Sequence, residues 1–521
     1  MSRTTLLRGG VVHSPAHSYA TALTTEGPTI TWVGDEDSTR SLVDDVDHVV
    51  DLRGALVTPT FVDAHAHLAQ TGLAGAGVRL QGLPSRQAVL DAVATHATTG
   101  DGVVLGFGWD ETLWDDPRPV TGAELDRAAN GRPVYLARVD VHSAIVSGAL
   151  VDACPQITGL DGWSATGRVE RSAHHAARAA ADALVTEPQR RAAIRSALRT
   201  AATQGIGLVH ELGAPHLSQL DDFGRIDAIR SAEPLPQVAR YWGEVAAYDQ
   251  ARAVGAVGLA GDLCVDGAIG SRTAALHEPY ADAATCGHAY LSVEQVRDHV
   301  IGCTRAGLQA GFHAIGDRGV ATVFAGLVAA RDEVGTDALR RARHRVEHLE
   351  MVDAAQVALA AQLGLTASVQ PAFDAAWGGA DGLYARRLGA ERAAGMNPFG
   401  ALSRAGVPLA FGSDTPVTPF DPWAAVRAAA WHHDPGQRIS VQTAFVAHTR
   451  GGWRAIGADD AGVLVPGSPA TFAVWDVPSS TDLRAAGGPG LPDLAPGQPL
   501  PTCLATVVDG TLVHEREGAL Q

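Results

Sequence analysis

The chain contains no lysine, so all 40 of its basic residues are arginine. Side-chain chemistry that needs a primary amine, carboxylation to a carbamate above all, is therefore excluded. Cysteine is scarce and unpatterned. Cys154, Cys264, Cys286, Cys303 and Cys503 form no CxxC pair and are odd in number, which suits a reducing compartment better than a disulfide framework. Positive charge is in deficit, with a formal net charge of -17 and no basic cluster, so a nucleic-acid backbone is not an expected partner. No run approaches the roughly 20 apolar residues of a membrane-spanning helix. Residues 1–13 also lack the basic region and apolar core of a secretory signal. A cytoplasmic location, away from any membrane, is the default expectation.

What is present is bulk and a set of histidines. At 521 residues and 46% hydrophobic composition, the chain can bury a large core and exceeds the roughly 250 residues of a plain α/β barrel. Its most informative stretch is residues 61–67, Phe-Val-Asp-Ala-His-Ala-His. Side chains alternate faces along a strand, so His65 and His67 project to the same side and can converge on one divalent metal ion. Three more candidates, His313, His348 and Asp414, each end a short apolar strand-like run. A parallel barrel gathers such strand ends around one axis.

The centre of the chain yields eight candidate barrel strands, ending near His67, Glu211, Trp242, Asp266, His313, His348, Gln370 and Asp414. Helical patterns cover residues 189–203, 293–306 and 322–333. The gap of about 70–188 is too long for one helix and holds strand-like runs at 103–108 and 134–139, which reads as an inserted subdomain over the barrel mouth. Short strands with turn residues are expected at 4–12, 20–24, 29–33 and 48–52, and again at 470–477 and 505–513, where Asp509-Gly510 supplies a hairpin turn. Residues 478–501, rich in Gly, Pro and Ser, read as a surface loop.

Five segments in order (61–67, 266–276, 313–318, 345–350 and 412–417) resemble the motifs of the metal-dependent amidohydrolases. The resemblance is closer to the subgroup that contains the N-substituted formamide deformylases and the YtcJ-like proteins. It implies a (β/α)8 TIM-like barrel over 58–462, an insertion after the first barrel strand, and a small β-sandwich built from residues 1–57 and 463–521. It implies His65, His67, His313 and Asp414 as ligands of one divalent metal, zinc being the first candidate. With two ions, His313 and His348 would hold the second. Asp414 would be the base that takes a proton from the metal-activated water, and His348, if not a ligand, would polarise the substrate carbonyl. Many relatives carry a carboxylated lysine between two metals; the aligned residue here is Asp262. The expectation is one ion, the alternative being a carboxylate (Asp262, Glu211 or Asp266) that bridges two.

Substrate contacts are expected from Arg272, Asp266, Trp109, His142 and Gln370, whereas His174-His175 and His432-His433 read as surface histidines. The function so implied is hydrolysis of a non-peptide C–N bond in a small amide, an N-substituted formamide or N-acyl amine. Competing readings are a deaminase or cyclic-amide hydrolase using the same site, and a catalytically weak metal-binding regulatory protein on the same fold. The resemblance leaves room for a homo-oligomer.

Overall fold

The computed structural model describes residues 3–100, 102–478, 483 and 490–519. Eight parallel strands form the central sheet: β1 (Phe61–Ala66), β2 (Ile206–Gly213), β3 (Gln237–Trp242), β4 (Gly258–Leu259), β5 (Gln309–Ala314), β6 (Arg345–His348), β7 (Thr366–Val369) and β8 (Leu409–Phe411). The chain beyond β8 returns to β1 through a parallel bridge between Ala66 and Thr415 and an Asp414 N–H to His65 carbonyl bond of 2.7 Å. The sheet therefore curls into the barrel the sequence implied. Every residue of β1, β2, β5, β6, β7 and β8 is buried, as expected of parallel strands covered by helices on the outside.

The covering helices follow from local sequence. Val293–Ala306 opens with a capping box between Ser292 and Gln295 and closes on Gly307, which adopts φ 70°. Its buried face, Val296, His299, Val300 and Cys303, repeats at three and four residues, the period of one helical stripe.

One strand departs from expectation. The fourth was placed with its end near Asp266, but β4 stops at Leu259. Gly261 at φ 90° turns the chain out of the sheet, and a single Cys264–His313 bridge is all the pairing that follows. Asp262 thereby stands at the strand end, and Asp266 belongs to the loop beyond it. The helix read at 322–333 also starts earlier, at Asp317.

Residues between β1 and β2 build a separate five-stranded sheet in the order Arg168–Glu170, Ser143–Val146, Val134–Arg138, Val104–Trp109, Val78–Arg79. The two chain ends interleave. A sheet of Val11–Val12, Leu56–Pro59, Phe472–Asp476, Thr502–Val508 and Thr511–Glu515 faces one of Thr29–Gly34, Ala22–Glu26, Thr4–Arg8 and His48–Asp51. They share a core that includes Leu7, Leu23, Ile30, Val57, Phe472 and Val474. Asp509 (φ 48°) and Gly510 (φ 72°) supply the two left-handed residues of a tight hairpin turn. The loop read at 478–501 falls partly outside the described residues, at 479–482 and 484–489.

One buried histidine ties a helix to the barrel. The Ala310 N–H donates to His344 Nδ1 at 2.8 Å. The Thr304 hydroxyl donates to the Val300 carbonyl at 2.7 Å, so it accepts from His344 Nε2–H at 2.8 Å. The ring is neutral with both nitrogens satisfied, and burial holds its pKa down at about 3. In the unfolded chain it returns to roughly 6.5. The unfolded state therefore binds the extra proton between those values, and stability is lost as pH falls from 6.5 towards 3. His344→Gln is expected to cost stability at pH 7.5 and progressively less at pH 5. Urea midpoints at the two pH values check this, and a pH-independent difference would refute it.

Candidate metal centre

The C-terminal rim of the barrel collects His65 and His67 from the end of β1, Asp262 after β4, His313 on β5, His348 ending β6 and Asp414 after β8. All are buried. His348 (φ 68°) and Asp414 (φ 55°) sit in the left-handed region that non-glycine residues avoid. Strain of this kind concentrates where side chains must be aimed rather than merely packed.

Each of the four histidines has its outer nitrogen tied to an acceptor. His67 Nδ1 meets the Leu212 carbonyl at 3.0 Å and His313 Nε2 meets the Gly267 carbonyl at 3.3 Å. His65 Nδ1 lies 3.0 Å from Glu347 Oε2, and His348 Nδ1 lies 2.8 Å from Gln370 Oε1. These acceptors fix the N–H on the outside, which leaves a lone pair on each inner nitrogen. The inner nitrogens all face Asp262: its Oδ1 is 3.5 Å from His65, 3.6 Å from His313 and 3.9 Å from His348, and its Oδ2 is 3.2 Å from His67. Asp414 Oδ1 lies 3.1 Å from His67 Nε2 and 3.4 Å from His65 Nε2.

Lone pairs facing carboxylates repel unless a cation, a proton or a metal ion, stands between them. Without a metal, Asp414, Asp262 and Glu347 raise His65 to about 9 against its burial, and Asp262 and Asp414 raise His67 well above the imidazole range. His65 Nε2, His313 Nδ1, His348 Nε2 and Asp262 Oδ1 are buried with no hydrogen-bond partner, which is rare for buried polar atoms and here calls for an ion. The donor set suits a divalent metal: His65, His67 and Asp414 form one group of ligand atoms within 4.8 Å of one another, and His65, Asp262 and His348 form another. Histidines whose second nitrogen is held by a carboxylate, carbonyl or amide are the usual arrangement around bound metal.

The carboxylates are ionised. Burial opposes the charge on Asp262, but without a metal the protons drawn onto the surrounding imidazoles, His67 first, outweigh it and hold the carboxyl well below its usual range; a bound cation would take their place. Asp414 is likewise lowered against burial by His65, His67 and His348. Beneath the site, Glu347 is depressed to about 2 because Arg345 and His65 override its burial. Arg345 donates to Glu347, to the Ala64 carbonyl at 2.7 Å and to Ser368 Oγ at 2.8 Å, and stacks 4.5 Å from the Tyr241 ring. Gly311 makes room for it: a Cβ there would lie 2.7 Å from Arg345 Cγ.

The remaining sequence candidates are placed variously. Gln370 orients His348. His142 lies beside His313, with ring centroids 5.0 Å apart. Glu211 accepts the Leu68 N–H at 2.7 Å at the start of the helix after β1, and burial pushes its pKa up to about 7. Asp266 is wholly buried and accepts the N–H groups of Ala275, Ile315 and Gly316 at 2.8, 3.0 and 2.8 Å; it anchors a loop. Arg272 pairs with Asp282 at 2.7 Å, away from the cleft. Trp109 packs inside the inserted sheet, its indole N–H on the Leu136 carbonyl at 3.0 Å.

Of the four histidines in the adjacent pairs, only His433 is a surface residue. His174 is buried and 2.8 Å from the Tyr135 hydroxyl, and half-buried His175 stacks on His216 at 4.4 Å. His432 is buried too, sharing the Asp374 carboxylate with His433, which alone keeps 47% of its side chain exposed. Helix Arg171–Ala183 turns Ala173, His174, Ala177, Arg178 and Ala181 inward. The spacing of His174 and Arg178 at i and i+4 was the available signal for this face. With His175, His216 and Cys264, they wall a narrow cleft whose floor is His67, Asp262, His313 and Asp414.

A closed parallel barrel with histidines and carboxylates converging at its C-terminal rim defines a metal-dependent hydrolase. The chain belongs to the amidohydrolase family, whose sequence profile matches residues 48–514. It is 28% identical over 88% of its length to Protein LONG AFTER FAR-RED 3 of Arabidopsis thaliana, covering 85% of that protein. It is 22% identical to the N-substituted formamide deformylase of Arthrobacter pascens, over 96% of both chains. The crystal structure of an uncharacterized metal-dependent hydrolase from Pyrococcus furiosus superposes with a TM-score of 0.69 at 25% identity, over 90% of this chain and 98% of the other. Among the described residues no helix is long and apolar enough to cross a membrane.

Proposed function

We propose that this chain hydrolyses the C–N bond of a small amide, with N-substituted formamides and N-acyl amines as the first substrate class. The observation that carries the reading is the convergence of four inner imidazole lone pairs and two ionised carboxylates on one buried point. The full-length similarity to a formamide deformylase supports the choice of bond. His65, His67 and Asp414 would hold one divalent ion, zinc being the first candidate. The sequence favoured a single ion; the position of Asp262 between all four histidines supports two, with Asp262 as the shared carboxylate and His313 and His348 completing the second set.

When bound, the metal supplies Lewis acidity that makes water nucleophilic near neutral pH and polarises a carbonyl. The protein's own residues do the rest. Asp414, ionised and at the cleft floor, takes the proton released by the attacking water and returns it to the leaving nitrogen. Gln370 and Glu347 keep His348 and His65 in one tautomer. The inserted sheet and helix Arg171–Ala183 wall the cleft and limit entry of bulk water. Protein purified without chelator is expected to carry divalent metal by elemental analysis and to release amine and formate, or another carboxylate, from such amides. Chelation should abolish turnover and metal should restore it. Release of ammonia instead would favour a deaminase, and folded protein that neither holds nor takes up metal would overturn the proposal.

A further inference from the structure

Five arginines are buried among the described residues: Arg138, Arg178, Arg190, Arg345 and Arg387. Four are matched by carboxylates. Arg138 pairs with Asp110, Glu111 and Asp140, Arg190 with Asp182 and Asp222, Arg345 with Glu347, and Arg387 with Glu111 and Asp282. Arg178, 8% exposed, has no carboxylate partner among the described residues. Its Nε donates to the Tyr135 hydroxyl at 3.3 Å and its Nη2 to the Val141 carbonyl, with His174 Nε2 3.5 Å from Nη2. All are neutral acceptors. A buried cation without a counter-charge is costly, and buried charges are normally paired, so one that faces a cleft unpaired is open to an anionic ligand.

Arg178 also lines the cleft above the metal centre. Its neighbours there add no positive charge: burial, with the arginine's own field, keeps His174 and His216 well below the imidazole range and His175 at about 4. One wall therefore carries a fixed guanidinium beside hydrogen-bonding but uncharged rings. The floor carries the groups argued to act on an amide.

We propose that Arg178 is a specificity residue that binds a carboxylate on the substrate, so that the cleft takes amides of the N-acyl or N-formyl amino acid class rather than neutral amides. The inference rests on the hydrolase reading only for what happens at the scissile bond; the anion subsite stands on the arginine alone. A planar guanidinium matches a carboxylate in geometry as well as charge.

The test is a set of N-formyl amino acids of increasing side-chain size and their carboxamides, compared on metal-loaded wild type, Arg178→Gln and Arg178→Lys. Wild type is expected to prefer the carboxylate form in kcat/KM by about 100-fold, mostly through KM. The ratio should collapse towards unity in Arg178→Gln and survive in part in Arg178→Lys, whose retained charge also guards against a folding artefact. Equal rates for the two forms in wild type, or a preference unchanged in Arg178→Gln, would overturn the assignment. Should no amide turn over, calorimetric titration of the same pairs still decides. Binding that requires both the carboxylate and Arg178 upholds the subsite while the hydrolase reading fails. Carboxylate binding equal in wild type and Arg178→Gln refutes the subsite.

Discussion

Asp262→Asn is expected to lose most of its bound metal and at least a thousandfold in turnover. The carboxylate faces all four inner imidazole nitrogens at 3.2–3.9 Å, so any cation held among them draws on its charge. Asparagine keeps the shape and one oxygen but removes the charge, leaving Asp414 as the only carboxylate among the six groups at the rim. If Asp262 bridges two ions, wild type should hold two equivalents per chain after dialysis and the variant at most one. The control is Gln370→Leu, which removes only the partner of His348 Nδ1. Loss of an orienting partner costs roughly 10–100-fold in metal affinity, so Asp262→Asn should fall well beyond it. Elemental analysis at matched free metal, together with the absorption of the cobalt-substituted protein, reads both. A variant with wild-type metal content and an unchanged cobalt spectrum would remove Asp262 from the ligand set.

The second large effect lies one layer down. Arg345→Met should destabilise the protein by about 3–5 kcal/mol, the usual cost of stranding one member of a fully buried ion pair. Arg345 and Glu347 are both 0% exposed in their side chains, and the arginine also serves the Ala64 carbonyl and Ser368. Its loss leaves the Glu347 carboxylate with His65 alone, which both destabilises the core and disturbs the ring that presents His65 Nε2 to the site. Adding Glu347→Gln to Arg345→Met should recover part of the stability, because the residual charge is then gone, while metal binding stays impaired. Denaturant unfolding of the metal-free single and double variants measures the coupling. A destabilisation below about 1 kcal/mol would mean that the pair is solvated in a way its burial does not suggest.

Most of the barrel and its rim could be read from residue order. Strand side chains alternate with a period of two, so the His-Ala-His ending of β1 had to present both rings to one side. His313, His348 and Asp414 likewise close or follow short apolar runs whose ends a parallel barrel brings to one rim. The absence of lysine excluded a carbamate and left Asp262, Glu211 and Asp266 as the carboxylates that could bridge two ions.

What occupies the centre was decided in three dimensions. Asp262 faces four histidines because β4 is only two residues long and Gly261 turns the chain immediately after it, geometry that no local pattern in residues 258–266 specifies. Asp266, Arg272 and Trp109 carry the right chemistry for a site, yet their polar groups are taken up by a loop, an ion pair and a separate core. Arg178 and His174 lie more than a hundred residues after His67 and more than eighty before Asp262, on a helix whose sequence states only that it has a polar, half-buried face. Which surface that face meets depends on how the inserted sheet packs over the barrel, a matter of long-range contacts. The sequence by itself named the candidate ligands and the fold that gathers them; only the tertiary structure decided which charge stands over the cleft, because a buried arginine reveals its missing partner only once its neighbours are in place.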